Sequence, residues 1–352
     1  MVGACAPVRP FLLAKLPAVP IPDLTLDDPF STDPFSTDQT STDPFSTDQT
    51  SIDQPSIPAL PSASLSGTRF LKSIAQSDES RRERLVLEEI RRGNVPASHR
   101  TLVRLDFSGE SRSGQKHDVT LWVMPDYVSI GDDADHVRVP MTPLTAQLVA
   151  DHLGYLLPTS RMVDLIHQKA AVRLQPYPLP PSERMVLMEE FARHSRLIDR
   201  QLGEQGLVGR GAMLVAGHKK DIVLSNRLLS APHRVAIYGW HDPRAQPIQP
   251  LSTIHGDWYA DYSHGVRLVS TTMLLDGTPM RVEEALHDVD LAQLLSDEGP
   301  IVRTRYPTEL GFGKPRGLPG LAPAPAPTPT PTQHLGPEQA LAFYQGIPST
   351  AR

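Results

Sequence analysis

Five of the 13 histidines, His218, His233, His241, His255 and His264, fall between positions 218 and 267, together with Lys219, Lys220, Asp221, Asp257, Asp261 and Arg267. The densest part is HGDWYADYSHGVRLV, residues 255–269. Imidazole titrates near pH ~6.5, so His255 or His264 oriented by Asp261 makes an acid/base pair, with Arg267 or Lys219 stabilising the negative charge that develops. Tyr259 adds a phenolic proton and Ser263 a hydroxyl. Trp258 and Tyr262 offer stacking surface, and Lys220 a second cation for anionic groups. His218 and Asp221, joined by His255 and His264, are the nitrogen and oxygen donors that a hydrolytic zinc ion takes while keeping an open position for water. No HExxH spacing accompanies them, and Ser263 stands in no GxSxG elbow. The competing reading is that these rings and carboxylates satisfy one another in a sheet core or form a non-catalytic binding face.

Strand geometry sharpens the choice. Side chains of a strand alternate faces, so an uninterrupted strand would put Tyr259, Asp261 and Ser263 on one face and Trp258, Tyr262 and His264 on the other. Joint action of His264 and Asp261 therefore requires a bend at 263–265, which Gly265 permits. Gly256 with Asp257 predicts a tight turn that presents His255 at a strand end. Other signals are thinner. GDDADH, 131–136, lacks the twelve-residue calcium-loop pattern and reads as a polar turn. His167 and His194 lie on helical segments with no partner at helical spacing, which places them on the surface.

The elements that position these residues can be read from caps and periodicity. SDESRRERLVLEEIRRGNVP has a serine or aspartate cap, a stripe of Leu85, Leu87 and Ile90, and Gly93 as its stop. HRTLVRLDFSG and HDVTLWVMPDYVSIG alternate apolar and polar residues around a turn at 109–114, as an antiparallel hairpin does, and DHVRVPM reads as a third strand. Three helices follow: one opened by Thr142 and Pro143 and closed by Gly154, one over TSRMVDLIHQKAA, and one over SERMVLMEEFARHSRLIDRQL. Strand patterns return in AMLVAG, DIVLS, RVAIYGW, LSTIHGDWYADYS and GVRLVSTTMLLDG, with Asp276 and Gly277 as a turn, before two short helices. Strands, then helices, then strands predict an α+β domain over 78–310, largely antiparallel, with a central three-helix segment.

The ends read differently. Aspartate recurs at 28, 33, 38, 43, 48 and 53, a five-residue period that fits neither helix nor strand, so residues 1–77 are expected to be disordered. Residues 311–352 begin with a proline-rich linker of polyproline II character and end in a short helix after Pro337. The net charge of −6 gives no basic surface for nucleic acid. The sole cysteine, Cys5, rules out an intramolecular disulfide and a thiolate metal cage. No stretch reaches the ~18 apolar residues of a membrane span. MVGAC resembles a lipoprotein cleavage site but lacks the charged and apolar regions of a signal peptide, so the chain as written reads as cytoplasmic, and as secreted or envelope-associated if the true start lies upstream of Met1.

Two resemblances bear on function. IHG at 254–256 followed by SHGVRL at 263–268 resembles the L,D-transpeptidase signature, with the nucleophilic cysteine missing between Gly265 and Val266, so that family's acyl transfer is not implied. RRGNVP, the VMPDYVSIG to MVDLI region, GHKKDIV, RVAIYGWH and HGDWYADYSHGVRLV together resemble an uncharacterised bacterial family often seen among secreted or cell-envelope proteins. That resemblance implies one domain centred on the 218–267 cluster and supplies no reaction. The resulting expectation is a hydrolase of a cell-envelope or extracellular polymer, with His255, Asp261 and His264 as acid/base or ligand residues and zinc as the candidate cofactor. The alternative is a tethered, non-catalytic module for a polymer or small ligand.

Overall fold

A computed structural model describes residues 57–207 and 212–309, and these belong to one compact unit. The five-residue repeat, the proline-rich linker and the helix after Pro337 lie outside the described residues. The chain opens with α1 (Gly67–Ile74), which the boundary at 78 does not anticipate, and α2 (Glu79–Arg91). Phe70, Leu71 and Ile74 of α1 are buried in the main core, so the folded domain begins N-terminal to Asp78. Asp78 caps α2 by accepting from the Arg81 N–H at 2.9 Å, and Gly93, at φ +81°, ends it.

The hairpin β1 (Val103–Glu110) and β2 (Lys116–Val123) is in continuous register, from Val103 opposite Val123 to Glu110 opposite Lys116. A second, short hairpin pairs β3 (Ser129–Gly131) with β4 (His136–Arg138) around the polar turn of 132–135, where Asp132 Oδ1 accepts two backbone N–H groups. Next comes α3 (Pro143–Leu153), capped by Thr142 and closed by Gly154 at φ +74°. It is followed by β5 (Tyr155–Leu156), α4 (Ser160–Lys169), β6 (Val172–Arg173) and α5 (Met188–Glu204). The expected third helix is thus shorter at its start, because residues Glu183–Val186 form a separate 3-10 turn. Leu165 is only half-buried; Met162, Val163 and Ile166 carry the inner face of α4.

The remaining strands are β7 (Val215–Ala216), β8 (Lys220–Ile222), β9 (Ile237–His241), β10 (Pro247–Ser252), β11 (His264–Gly265), β12 (Val269–Ser270), β13 (Thr272–Leu275) and β14 (Thr278–Arg281), with α6 (Val282–His287) after them. Asp276 and Gly277, at φ +52° and +79°, form the turn between β13 and β14. One sheet runs β14-β13-β2-β12-β5, with β1 also on β2, and a second runs β10-β9-β8-β11. All pairings are antiparallel except β8 with β11 and β6 with β7. This is the expected α+β architecture with its three central helices. No helix among the described residues is long and apolar enough to cross a membrane.

Candidate functional site

The segment 252–265 is not one strand. β10 ends at Ser252, Gly256 bridges to Arg234, and a turn brings the Tyr259 N–H to the Gly256 carbonyl at 3.0 Å. The ring of Trp258 packs so closely on Gly256 that a Cβ there would stand 2.5 Å from it. A second turn joins the His264 N–H to the Asp261 carbonyl at 3.0 Å. The required bend thus falls at 262–263, two residues before Gly265. Asp261 closes it with its own side chain, Oδ1 accepting from the Ser263 N–H (2.8 Å) and the Ser263 hydroxyl (2.6 Å).

After the turn, β11 lies parallel to β8 with His264 opposite Lys220 and Gly265 opposite Asp221. Gly265 has no room for a side chain. A Cβ would stand 2.6 Å from the Tyr127 ring and 2.8 Å from Cβ of Lys219, so the glycine of SHG serves close packing. Gly265→Ala is expected to destabilise the fold by about 1–3 kcal/mol through overpacking. An unchanged midpoint in denaturant unfolding would refute this account of the motif.

Four groups meet around these turns. The His255 ring stacks on Tyr259 at 4.6 Å between centroids and lies 6.1 Å from the ring of His264. The Tyr259 hydroxyl donates to Asp261 Oδ2 at 3.0 Å. His255, Trp258, Tyr259 and Lys220 are half-buried, whereas Asp261, Ser263 and His264 are sealed. Neither ring nitrogen of His264 has a hydrogen-bond partner among the described residues. Opposite, Gly239 (φ +109°) and Trp240 (φ +58°) kink β9, and the Trp240 ring lies 4.7 Å from Nζ of Lys220.

The electrostatics follow from burial. Burial pushes the Asp261 carboxyl up, but His264, Lys220 and the two Ser263 donors outweigh it and hold the group at about 2. Burial holds His264 down at about 4, against the pull of Asp261, and lowers His255 as well. Both imidazoles are therefore neutral at pH 7. Burial also raises the Tyr259 phenol, and Asp261 raises it further, so it remains a proton donor.

The other expected site residues lie elsewhere. His218 is buried with Nε2 at 3.0 Å from Asp126 Oδ1, and Asp221 accepts from the Tyr127 hydroxyl at 2.8 Å. The zinc set of His218, Asp221, His255 and His264 is therefore not assembled, and among the described residues no three His, Cys, Asp or Glu side chains stand as a metal would need them. Ser263 directs its hydroxyl to Asp261 and is sealed, which removes it as a nucleophile. Tyr262 is buried with its hydroxyl on the Leu179 N–H at 2.6 Å, so it offers no stacking platform. Arg267 is buried too, its Nη atoms donating to the Met124 and Val215 carbonyls and its guanidinium 4.3 Å from the Tyr127 ring centre. Lys219 is fully buried with Nζ on the Tyr262 carbonyl. Neither cation is free to hold a substrate anion, whereas Lys220 is half-buried with its ammonium beside the Trp240 ring.

Sequence reasoning missed the group on which these buried residues converge. Asp126 receives Arg138 Nε at 2.8 Å and Nη2 at 2.7 Å as well as His218, and Arg138 continues to Asp199 at 2.7 Å. A carboxylate inside the apolar run LWVMPDYVSI, and an arginine inside VRVPM, are the signals, since charges in such runs are buried and must be paired. His167 and His194 are also buried, contrary to the surface placement; His167 stacks on His241 at 4.3 Å, and His241 binds Asp164 at 2.7 Å.

No family model matches the chain, and neither a curated protein nor a solved structure matches it.

Proposed function

We propose that the face formed by His255, Tyr259 and Lys220 is the working surface of a hydrolase whose substrate is a cell-envelope or extracellular polymer. The observation that carries this reading is the stack of a half-exposed imidazole on a tyrosine tied to an ionised, buried carboxylate, with a lysine ammonium beside it. Neutral His255 accepts a proton from the attacking water and returns it to the leaving group. Lys220 stabilises the negative charge that develops between these two steps. Asp261 fixes Tyr259 as a donor, and His264 fills the space behind without carrying charge. The half-exposed rings give a chain-like substrate a surface to lie across.

His255→Ala is expected to lower kcat about 100-fold or more on the responsive substrate in a screen of peptidoglycan, polysaccharides and esters, with the unfolding midpoint little changed. Undiminished turnover in that variant would refute the assignment. The second reading, a non-catalytic module for a polymer or small ligand, is favoured by the ring stack itself and by half-buried Trp258. Saturable binding of one of these polymers without turnover, lost in Tyr259→Ala, would decide for it.

A further inference from the structure

The N-terminal end of α3, the 224–234 segment and residues 303–307 enclose a cavity of about 360 Å³, within the ~300–1,000 Å³ of small-molecule sites. Its walls include Leu144, Leu224, Leu228, Pro232 and Tyr306. The Tyr306 hydroxyl is committed to the protein: it donates to the Val223 carbonyl at 2.7 Å and accepts from the Ala236 N–H at 3.0 Å. It braces the wall, which stays apolar.

The charged part of the lining is unequal in sign. Three arginines, Arg234, Arg303 and Arg305, face one carboxylate, Asp257, which lies 3.5 Å from His233 Nδ1. Arg305 is paired with Asp151 at 2.7 Å and Arg234 donates to the Ile254 carbonyl. Arg303 is exposed and has no hydrogen-bond or ion-pair partner among the described residues. His233 itself holds a left-handed backbone at φ +58°, fixed by the Asp257 N–H donating to its carbonyl at 3.1 Å. Non-glycine residues in that conformation are uncommon, and they cluster at ligand clamps.

We propose that this cavity binds an amphipathic carboxylate, its alkyl or aryl body against Leu144, Leu224, Leu228 and Pro232 and its anionic end on Arg303. An uncompensated guanidinium favours an anion over a cation, and a hydrocarbon wall favours a ligand whose charge is confined to one end. The assignment holds whether or not the His255 face turns over a substrate, since it uses none of the groups proposed there.

The test offers decanoate, decanol and decyltrimethylammonium, below their micellar concentrations, to the full chain by titration calorimetry. Decanoate is expected to bind saturably at one site, decanol about tenfold or more weaker, and the cation not at all. Arg303→Gln, at an exposed position, should reduce decanoate to the affinity of decanol, and Leu228→Trp, which fills the cavity, should abolish both. Equal affinities for decanoate and decanol in wild type, unchanged decanoate binding in either variant, or no saturable binding would overturn the proposal.

Discussion

The unfolding free energy is expected to fall steeply as the pH drops from 6.5 towards 4, with a net slope of about 4 kcal/mol per pH unit. Burial holds His167, His218 and His264 at about 4, His99 at about 3 and His194 well below its usual value, so in this window the folded chain keeps these five largely neutral. The unfolded chain protonates them near 6.5. It therefore binds more protons than the folded one, and stability is lost as pH falls, each imidazole contributing roughly 3 kcal/mol once both states have titrated. Two groups oppose them. Burial raises Asp221 to about 6 and raises Asp257 as well, so the folded chain takes those protons while the unfolded carboxyls wait until about 3.8, which adds stability on acidification. Five protons against at most two leave about three. The total loss rivals the ~5–15 kcal/mol stability of an ordinary domain, so acid unfolding should be complete before most surface carboxylates titrate. Denaturant titrations from pH 7.5 to 4.5 measure it directly. A flat profile between 6.5 and 4.5 would mean that these imidazoles are not buried neutral. His264→Phe should remove close to one proton from the slope and serves as the site-specific check.

The same histidines show where sequence reading stops. Caps and turns are local, and they were legible: Asp78, Thr142 with Pro143, Gly154, and Asp276 with Gly277 each act within a few residues of the backbone group they satisfy. The α+β order followed from such signals. The His255 turn and the bend beyond Asp261 were legible for the same reason, since glycine and aspartate advertise turns. Partnerships across the chain were not. Asp126 and His218 are 92 positions apart, and His241 reaches Asp164 over 77. No periodicity connects such pairs, so five clustered histidines looked like one site when the fold gives His218, His233 and His241 to separate carboxylates and brings only His255 and His264 together. Arg267 and Lys219 show a related effect. A cation near a candidate site suggests substrate binding, yet both are buried against main-chain carbonyls, a destination that only tertiary packing decides.

Asp126→Ala is expected to cost about 3–5 kcal/mol, because it takes from the buried Arg138 guanidinium its buried carboxylate and leaves it only the partly exposed one. The carboxylate is buried and held well below its usual range: burial raises it, but Arg138 and His218 prevail. Its removal leaves Arg138 with Asp199 alone, and leaves His218 without its only hydrogen-bond partner among the described residues. The damage reaches the candidate site through packing. The Tyr127 N–H donates to Asp126 at 2.7 Å, the Tyr127 ring carries Arg267 on one contact and Gly265 of β11 on another, and β11 holds His264. Arg138→Met alone should cost less than Asp126→Ala, since Asp126 keeps His218 and its backbone donor. Asp126→Leu with Arg138→Met removes both members of the pair and should recover most of the loss, because apolar replacement of a whole buried ion pair is close to neutral. Urea unfolding of Asp126→Leu, Arg138→Met and the double variant gives the coupling energy. Additive losses in the double variant would show that the pair acts as two independent groups, whereas recovery would show that this charge is kept for the arrangement it imposes on Tyr127 and β11 rather than for net stability.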